Sequence, residues 1–233
     1  MEKYLNPQAA VQFSGGVTSD HWITLWKWVC DVLTDVNAEV QVWENTAFLL
    51  VKLQNTLCID RPEFLQLAAS ACIAASAKLH STNSPLGDPA VLENYADGAF
   101  TQNQLKDVEV IVLQKIGWQA APFHAWEACE DALWELHKRA PLSNQSFLQT
   151  VWAANDYIKY SLQVQVPELH GSSASRSAVS ISLALAGTGY LSNDTLFTHL
   201  ADIYQLSKEH IVTTHAAAQI KILDLCADLL SGN

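Results

Sequence analysis

The sequence predicts an all-α protein built from two units of five helices each. Apolar residues recur three and four positions apart along most of the chain, which is the spacing of one helix face. Hydrophobic residues make up 49% of the 233 residues and charged residues 16%, a composition typical of folded proteins. The length suits one large domain or two small ones. The predicted divisions are an N-terminal arm at 1–19, a first unit at 20–120 and a second unit at 121–233.

The first unit contains recognisable helix starts. Asp20 is placed to cap the first helix, and Pro62 is tolerated in the first turn of the third because an N–H there has no intrahelical partner. Thr101 and Gln104 form a capping-box pattern at the start of the fifth helix. The predicted helices cover about 20–37, 44–58, 64–80, 89–96 and 102–117.

After a break at Ala120-Ala-Pro122, a second unit repeats this layout. Asp194 and Ser207 are placed to cap its last two helices. The third helix of each unit is rich in alanine and serine, at Phe64–Ala77 and Ser177–Ala186. Because a helix without a polar face is usually surrounded by other helices, each should lie in the middle of its unit. The predicted helices cover about 123–138, 144–164, 173–188, 194–206 and 208–230.

The acidic balance narrows the class of partner. The formal net charge is -11, and the lysines and arginines form no basic stripe. This charge disfavours a nucleic-acid backbone and an anionic membrane as partners. A protein with a basic face would instead be steered toward the chain.

The cysteines predict a reducing environment. They are odd in number, widely spaced and set in apolar helical segments, at Cys30, Cys58, Cys72, Cys129 and Cys226. We therefore predict reduced core residues of an intracellular protein. The first residues lack an apolar run of signal-peptide length. The expected location is the nucleus, the cytoplasm or both.

The sequence contains no pattern that indicates catalysis. Zinc-binding, nucleophile-elbow and phosphate-loop motifs are not found in it. The segment Gly187-Thr-Gly189 half-resembles a dinucleotide-binding loop, but it lacks the third glycine and follows a predicted helix rather than a strand. We therefore expect no catalytic residue, no metal site and no cofactor. The chain is predicted to be a regulatory or binding protein.

Two charged residues are the leading functional candidates. Lys78 ends the small-residue helix of the first unit, and Glu109 lies in its fifth helix, just before an apolar run that ends at Trp118. Either residue alone is compatible with an ordinary solvated charge. Their combined placement, after a buried helix and beside an apolar run, favours a protein-binding surface.

The segment 60–122 resembles a cyclin box, and the two-unit chain resembles a complete cyclin core. Ser76-Ala77-Lys78-Leu79 is similar to the family's Ala-Ser-Lys-aromatic/Leu, and Thr101-Gln-Asn-Gln104-Leu is similar to its Thr-x-x-Gln-aliphatic. Glu109 precedes Trp118 by nine residues, the spacing of the family's glutamate and aromatic. The stretch Trp118–Pro122 resembles the start of the family's interdomain linker, and its tryptophan is closest in character to D-type and viral cyclins.

This resemblance implies a cyclin-dependent Ser/Thr kinase as partner in a heterodimer. In cyclins the lysine and the glutamate hydrogen-bond the kinase around its mobile C helix. The implied kinase-binding residues are Lys78, Leu79, Leu105, Val108 and Glu109. The resemblance also implies a groove that docks substrate or inhibitor peptides, formed by Trp22, Ile23, Leu25, Trp26 and Gln54.

The chain departs from the family in one charged pair. Cyclins begin the first helix of the box with Met-Arg-x-x-Leu-x-x-x-Trp, whereas His21–Trp28 contains no arginine. The aspartate that pairs with that arginine is also missing, because Leu53-Gln-Asn-Thr-Leu57 replaces the family's Leu-Asp-Arg-Phe-Leu. Losing both charges together is physically coherent, since one buried charge alone would be strongly destabilising.

Two functional hypotheses follow. The first is a regulatory subunit that binds and activates a cyclin-dependent kinase and helps recruit substrates in cell-cycle control. The second is an adaptor with the same fold, similar to transcription factor IIB or the retinoblastoma pocket, that does not activate a kinase. A helical enzyme forms a third class, but no constellation of residues points to it.

Overall fold

The computed structural model describes residues 17–56, 59, 61–81, 83–121, 123–164, 172–186 and 188–231. These residues form α-helices and one 3-10 turn, with no strand among them, which confirms the all-α prediction. The first unit contains α1 Ser19–Asp35, α2 Val40–Thr56, α3 Glu63–His80, the 3-10 turn Pro85–Gly87, α4 Pro89–Tyr95 and α5 Gln102–Lys115. The second contains α6 Ala125–Arg139, α7 Asn144–Gln163, α8 Ser173–Leu185, α9 Asn193–Tyr204 and α10 Lys208–Ser231.

The described chain divides into two compact units, with 17–121 in one and 123–231 in the other. Each unit has five α-helices, as the sequence predicts. The assignment of kinase binding to the first unit remains a prediction. Leu57, Cys58 and the predicted arm up to residue 16 lie outside the described residues, as do Gly171 and Gly187.

The structure confirms the predicted caps of α5 and α10. It corrects the capping residues predicted for α1 and α9. Thr101 and Gln104 form the predicted capping box of α5, and the Ser207 hydroxyl accepts from the backbone N–H of His210 at 3.1 Å at the start of α10. However, α1 is capped by Thr18 rather than Asp20, because its hydroxyl accepts from the backbone N–H of His21. The His21 ring in turn accepts from the Thr18 backbone N–H at 3.0 Å.

The second correction concerns α9. Ser192, not Asp194, caps this helix, because its hydroxyl accepts from the backbone N–H of Thr195 at 3.2 Å. Asp194 lies in the first turn, where a carboxylate stabilises the positive end of the helix dipole. It also pairs with Lys208 at 2.6 Å.

The central helix of the first unit is α3. Every residue from Leu67 to Ala77 is buried, and α3 packs against α1, α2, α4 and α5. Alanine and serine side chains leave room for these neighbours to approach from several sides. A polar link crosses this core, where the Asn45 amide of α2 donates to the Ser76 hydroxyl at 3.1 Å.

The central helix of the second unit is α8, which packs against α6, α7, α9 and α10. The buried serines Ser175, Ser177 and Ser182 are hydrogen-bonded, as buried polar groups generally are. Ser175 lies 2.9 Å from the His210 ring, and Ser177 contacts the Tyr204 hydroxyl. The Tyr204 hydroxyl also donates to the Ala128 carbonyl at 2.9 Å, which connects α9 to α6.

Helix limits elsewhere follow burial more than local sequence. Helix α2 begins at Val40, four residues before the predicted start, because Val40, Val42 and Trp43 all enter the core.

Among the described cysteines, Cys30, Cys72 and Cys129 are buried. Burial raises the pKa of the Cys30 thiol to about 12. None of the helices that the structure describes is both long and apolar enough to cross a membrane.

Because α3 is tightly enclosed, a larger side chain at a buried position of this helix should destabilise the first unit. Ala74 is completely buried, so the larger side chain of Ala74→Leu should lower the free energy of unfolding by about 1–3 kcal/mol. Urea unfolding followed by circular dichroism measures this. The matched control is Ala217→Leu on the exposed face of α10, and equal stability of the two variants would contradict the packing described for α3.

A second prediction concerns His215 on α10. The Ser182 hydroxyl donates to the Val179 carbonyl and lies 2.7 Å from Nδ1 of His215, so Nδ1–H donates to Ser182. Burial lowers the pKa of His215 below its ordinary 6.5. The neutral ring therefore favours the folded state fully above pH 6.5, and this contribution is lost as the pH falls from 6.5 through the folded pKa.

We expect the free energy of unfolding to decline less between about pH 7.5 and 5.5 in His215→Gln than in the parent protein. Urea unfolding at both pH values measures the two declines. Parallel declines would show that burial of this ring does not contribute to the pH dependence.

Candidate partner-binding site

Helix α3 positions Lys78 at the edge of the first unit. The buried stretch of α3 ends at Ala77, and Lys78 is the first exposed residue after it. A positive charge in the last turn is stabilised by the negative end of the helix dipole. Gly87 of the 3-10 turn lies against the Lys78 side chain. A Cβ added at Gly87 would be in van der Waals contact with Cγ of Lys78, at 3.5 Å.

Helix α5 positions Glu109. Leu105, Val112 and Ile116 are buried and hold this part of the chain against the core. Glu109 lies four residues after Leu105 and three before Val112, so it is on the face that α5 turns toward the core. Helices α3 and α5 pack together, which brings its carboxylate to the end of α3.

Lys78 and Glu109 form an ion pair. The Lys78 Nζ lies 2.8 Å from Oε1 and 2.6 Å from Oε2 of Glu109. The lysine side chain is 44% exposed and the glutamate side chain 12% exposed. The sequence predicted both as members of one surface but not their mutual contact, which depends on the register of two helices. Because the pair is reached by solvent, its contribution to stability is small.

Exposed apolar residues follow both members of this ion pair in sequence. Leu79 follows Lys78, and Val110 and Ile111 follow Glu109; all three are exposed. Val108 is half-buried. Sequence reasoning missed Val110 and Ile111, although an uninterrupted apolar run in a helix cannot lie on one buried face.

Leu105 is a correction to the predicted contact set. Its side chain is fully buried, so it supports α5 from inside and does not lie on the exposed surface. The other predicted members, Lys78, Leu79, Val108 and Glu109, remain accessible at least in part. Their contact with a partner remains a prediction.

Lys52 on α2 holds the chain that leaves α5. Its Nζ donates to the Gln119 side-chain oxygen at 2.8 Å and to the backbone carbonyls of Gln119 at 3.3 Å and Ile116 at 3.5 Å. Desolvation lowers the pKa of Lys52. Gly117 and Trp118 both have positive φ, 66° and 59°, a conformation that is uncommon for a tryptophan. No sequence motif marked Lys52 for this role.

The predicted peptide-docking residues are unequally accessible. On α1, Ile23 is exposed, while Trp22 and Trp26 are half-buried. Gln54 on α2 is half-buried as well. Leu25 is buried together with Val29, on the face by which α1 joins the core, so it offers little surface to a peptide. The docking role of the others remains a prediction.

The groups exposed at this surface are suited to binding another molecule. They comprise one cation, one carboxylate and apolar side chains that reach solvent. In the described part of the chain, no three His, Cys, Asp or Glu side chains are grouped so that they could hold a metal ion.

Comparisons with known proteins agree with this architecture. Residues 8–121 match the family described as "Cyclin, N-terminal domain". The chain is 30% identical over 234 aligned positions to the retroviral cyclin of walleye dermal sarcoma virus, and the alignment covers 96% of this chain and 74% of that protein. The fold is similar to the crystal structure of a viral cyclin from herpesvirus saimiri, with a TM-score of 0.70 and 17% identity, covering 88% of this chain and 86% of that one.

The exposure of the Lys78–Glu109 pair predicts that it is dispensable for folding. Lys78→Met/Glu109→Gln should change the free energy of unfolding by less than about 1 kcal/mol. The comparison is Lys208→Met/Asp194→Asn, which removes another solvent-accessible pair. Chemical denaturation measures both, and a loss of several kcal/mol at Lys78 and Glu109 would assign the pair to the stability of the fold.

Proposed function

Because the chain belongs to the cyclin family, we propose that it is a regulatory subunit that binds and activates a cyclin-dependent Ser/Thr kinase. The observation that carries the proposal is the solvent-accessible Lys78–Glu109 ion pair on helices that also expose Leu79, Val110 and Ile111. A protein without a partner gains nothing in stability from leaving three large apolar side chains of α3 and α5 in water.

The ion pair has unused hydrogen-bonding capacity. An ammonium group has three N–H donors, and a carboxylate can accept about four hydrogen bonds. Lys78 donates to both carboxylate oxygens of Glu109, and this pairing leaves donor and acceptor capacity for a partner. Charge-assisted bonds to the kinase would fix the register, and burial of the apolar side chains would supply most of the affinity.

Activation then follows from where the partner is held. A kinase requires its own Lys–Glu ion pair, and the position of its C helix controls whether that pair forms. A rigid surface that holds the C helix inward assembles the catalytic site of the kinase. In this mechanism the present chain contributes no catalytic group, and α3 and α5 provide rigidity because the core of the unit anchors both.

Net charge and location complete the proposal. The formal charge of -11 would steer a kinase that presents a basic face and would speed its association at low ionic strength. The complex would act in the nucleus, the cytoplasm or both.

Substrate recruitment is the second part of the proposed function. A substrate peptide would contact exposed Ile23 and the half-buried Trp22, Trp26 and Gln54, and buried Leu25 would support these side chains from the core.

An adaptor that binds without activating is the second candidate. The observation that favours it is the altered docking region, in which the family's arginine and aspartate are both replaced and Leu25 is buried. An adaptor would keep the surface around Lys78 but would not need the substrate groove.

Kinase activation with matched variants tests the proposal. The purified chain is mixed with a panel of monomeric cyclin-dependent kinases, and phosphorylation of histone or a retinoblastoma fragment is measured. We expect activation that falls at least about tenfold in Lys78→Ala/Glu109→Ala, as for the central residues of interfaces. The charge swap Lys78→Glu/Glu109→Lys keeps an internal pair possible but reverses both charges toward a partner, and it should fail as well.

The control is Lys138→Ala/Glu135→Ala, which removes an exposed pair of 2.5 Å on α6 and should activate like the parent. Binding without activation would favour the adaptor. No binding to any kinase of the panel, or activation that survives the charge swap, would overturn the kinase proposal.

A further inference from the structure

The outer surface of the second unit carries a group of exposed apolar side chains on α6 and α7. Trp134 is 55% exposed, Leu148 is 52% exposed and Trp152 is 66% exposed. Phe147, which is half-buried, lies with them. We call Trp134, Phe147, Leu148 and Trp152 the aromatic face.

Ring contacts connect the two helices within this face. The ring centroids of Trp134 and Phe147 are 4.6 Å apart, and the His137 ring lies 5.6 Å from Phe147. Leu148 is adjacent to Phe147 in sequence, and Trp152 lies one helical turn after Leu148, on the same side of α7.

The packing of α7 gives the positions of these side chains around the helix. Tyr157 and Tyr160 pack against a buried cluster that includes Ala218 and Ile222 of α10, so that edge of α7 faces α10. Leu148 precedes Tyr157 by nine residues, which places it about 180° around the helix. Helix α6 packs against α7, and Trp134 meets Phe147 there. Phe147 lies about 100° around α7 from Leu148, so Leu148 and Trp152 occupy the exposed side of α7 next to the one that meets Trp134.

The stability of the unit does not account for the aromatic face. Side chains that are more than half exposed gain little from the core, and contiguous exposed apolar surface usually marks a site of interaction. Tryptophan is also the residue most enriched among side chains that dominate binding energy. The proposed kinase-binding surface lies on the other unit and uses none of these residues.

Carboxylates border the aromatic face. Glu130 and Asp131 lie one turn before Trp134 on α6, both exposed, and neither has an ion-pair partner among the described residues. Asp156 lies one turn after Trp152 and is only loosely paired, with 3.8 Å to the Lys159 Nζ. The cation beside Trp134, Lys138, is paired with Glu135 at 2.5 Å. The unpaired charges at this border are therefore negative, and they favour cations beside the apolar groups of a partner.

We propose that the aromatic face binds a basic amphipathic helix of another protein. Apolar side chains of that helix cover Trp134, Leu148 and Trp152, while its lysines and arginines reach Glu130, Asp131 and Asp156. An arginine stacked on an exposed tryptophan adds a cation–π contact. A helix laid into an apolar groove is a common mode of peptide recognition.

Charge argues against a second copy of this chain as the occupant. In a two-fold symmetric dimer the same patch meets itself. The acidic border of one copy, formed by Glu130, Asp131 and Asp156, would then lie against the same interface of the other copy. Like charges brought together are destabilising. A basic helix removes this repulsion.

The test uses the full chain labelled with 5-fluorotryptophan and fluorine NMR. Each of the eight tryptophans gives its own signal, and Trp134→Phe and Trp152→Phe assign the two that matter. The probe is a leucine–lysine amphipathic peptide of about four helical turns. The control peptides carry glutamate in place of lysine, or the same residues in scrambled order.

We expect the basic peptide to shift the signals of Trp134 and Trp152 but not that of Trp118, which is 63% exposed on the first unit. Trp152→Ala should weaken binding at least about tenfold, and Glu130→Lys/Asp131→Lys should weaken it and reduce its dependence on salt. Ile220→Ala/Leu223→Ala, which alters exposed apolar residues of α10, should bind like the parent.

Three results would overturn the proposal. The first is no shift of either signal, and the second is an equal response to the acidic or scrambled peptide or at Trp118. The third is a concentration-dependent dimer in sedimentation velocity that Trp152→Ala abolishes, since the occupant would then be a second copy. Kinase activation is measured separately on the same samples, so the outcome does not depend on the function proposed above.

Discussion

Lack of space around α3 is the constraint on which the first unit depends. Alanine, serine and cysteine occupy most of its buried length, and four helices pack against it. The neighbours are close because small side chains cover most of its buried length. This packing orients α5 so that Glu109 meets Lys78 at the point where α3 leaves the core. The ion pair is therefore a product of the packing and not its cause. Helix α8 has the same place in the second unit, with serines whose hydroxyls bond to His210, Tyr204 and His215.

The two units expose different kinds of surface from this common plan. The first presents a paired cation and anion beside aliphatic side chains, a combination suited to fixing the orientation of a folded partner. The second presents tryptophans bordered by carboxylates, which suits a segment with alternating apolar and basic groups. In both, the groups that reach solvent lie on helices whose opposite faces are buried. Such rigid placement lowers the entropy lost when a partner binds.

Sequence reasoning predicted those features that depend on periodicity and on side-chain volume. The five helices of each unit, the small-residue helices at their centres and the caps at Thr101 and Ser207 are examples. It missed His21 as the acceptor in the first capping box, because glutamate or glutamine is usual there. It assigned Leu105 and Leu25 to binding surfaces, although both side chains are buried. It could not predict the Lys78–Glu109 contact, which joins residues 31 positions apart. That contact depends on how α3 and α5 are rotated against each other, which local sequence does not encode.

The enclosure of α3 also determines how such a chain diverges. A site surrounded on all sides limits the volume of its occupant, so alanine, cysteine and a hydrogen-bonded serine can replace one another there more readily than a larger residue can. Positions on the outer faces of α5, α6 and α7 are free of that limit and can drift toward new ligands. A lineage under these rules retains its architecture while its amino acids turn over, which is the relation seen between this chain and a herpesviral cyclin of the same fold at 17% identity.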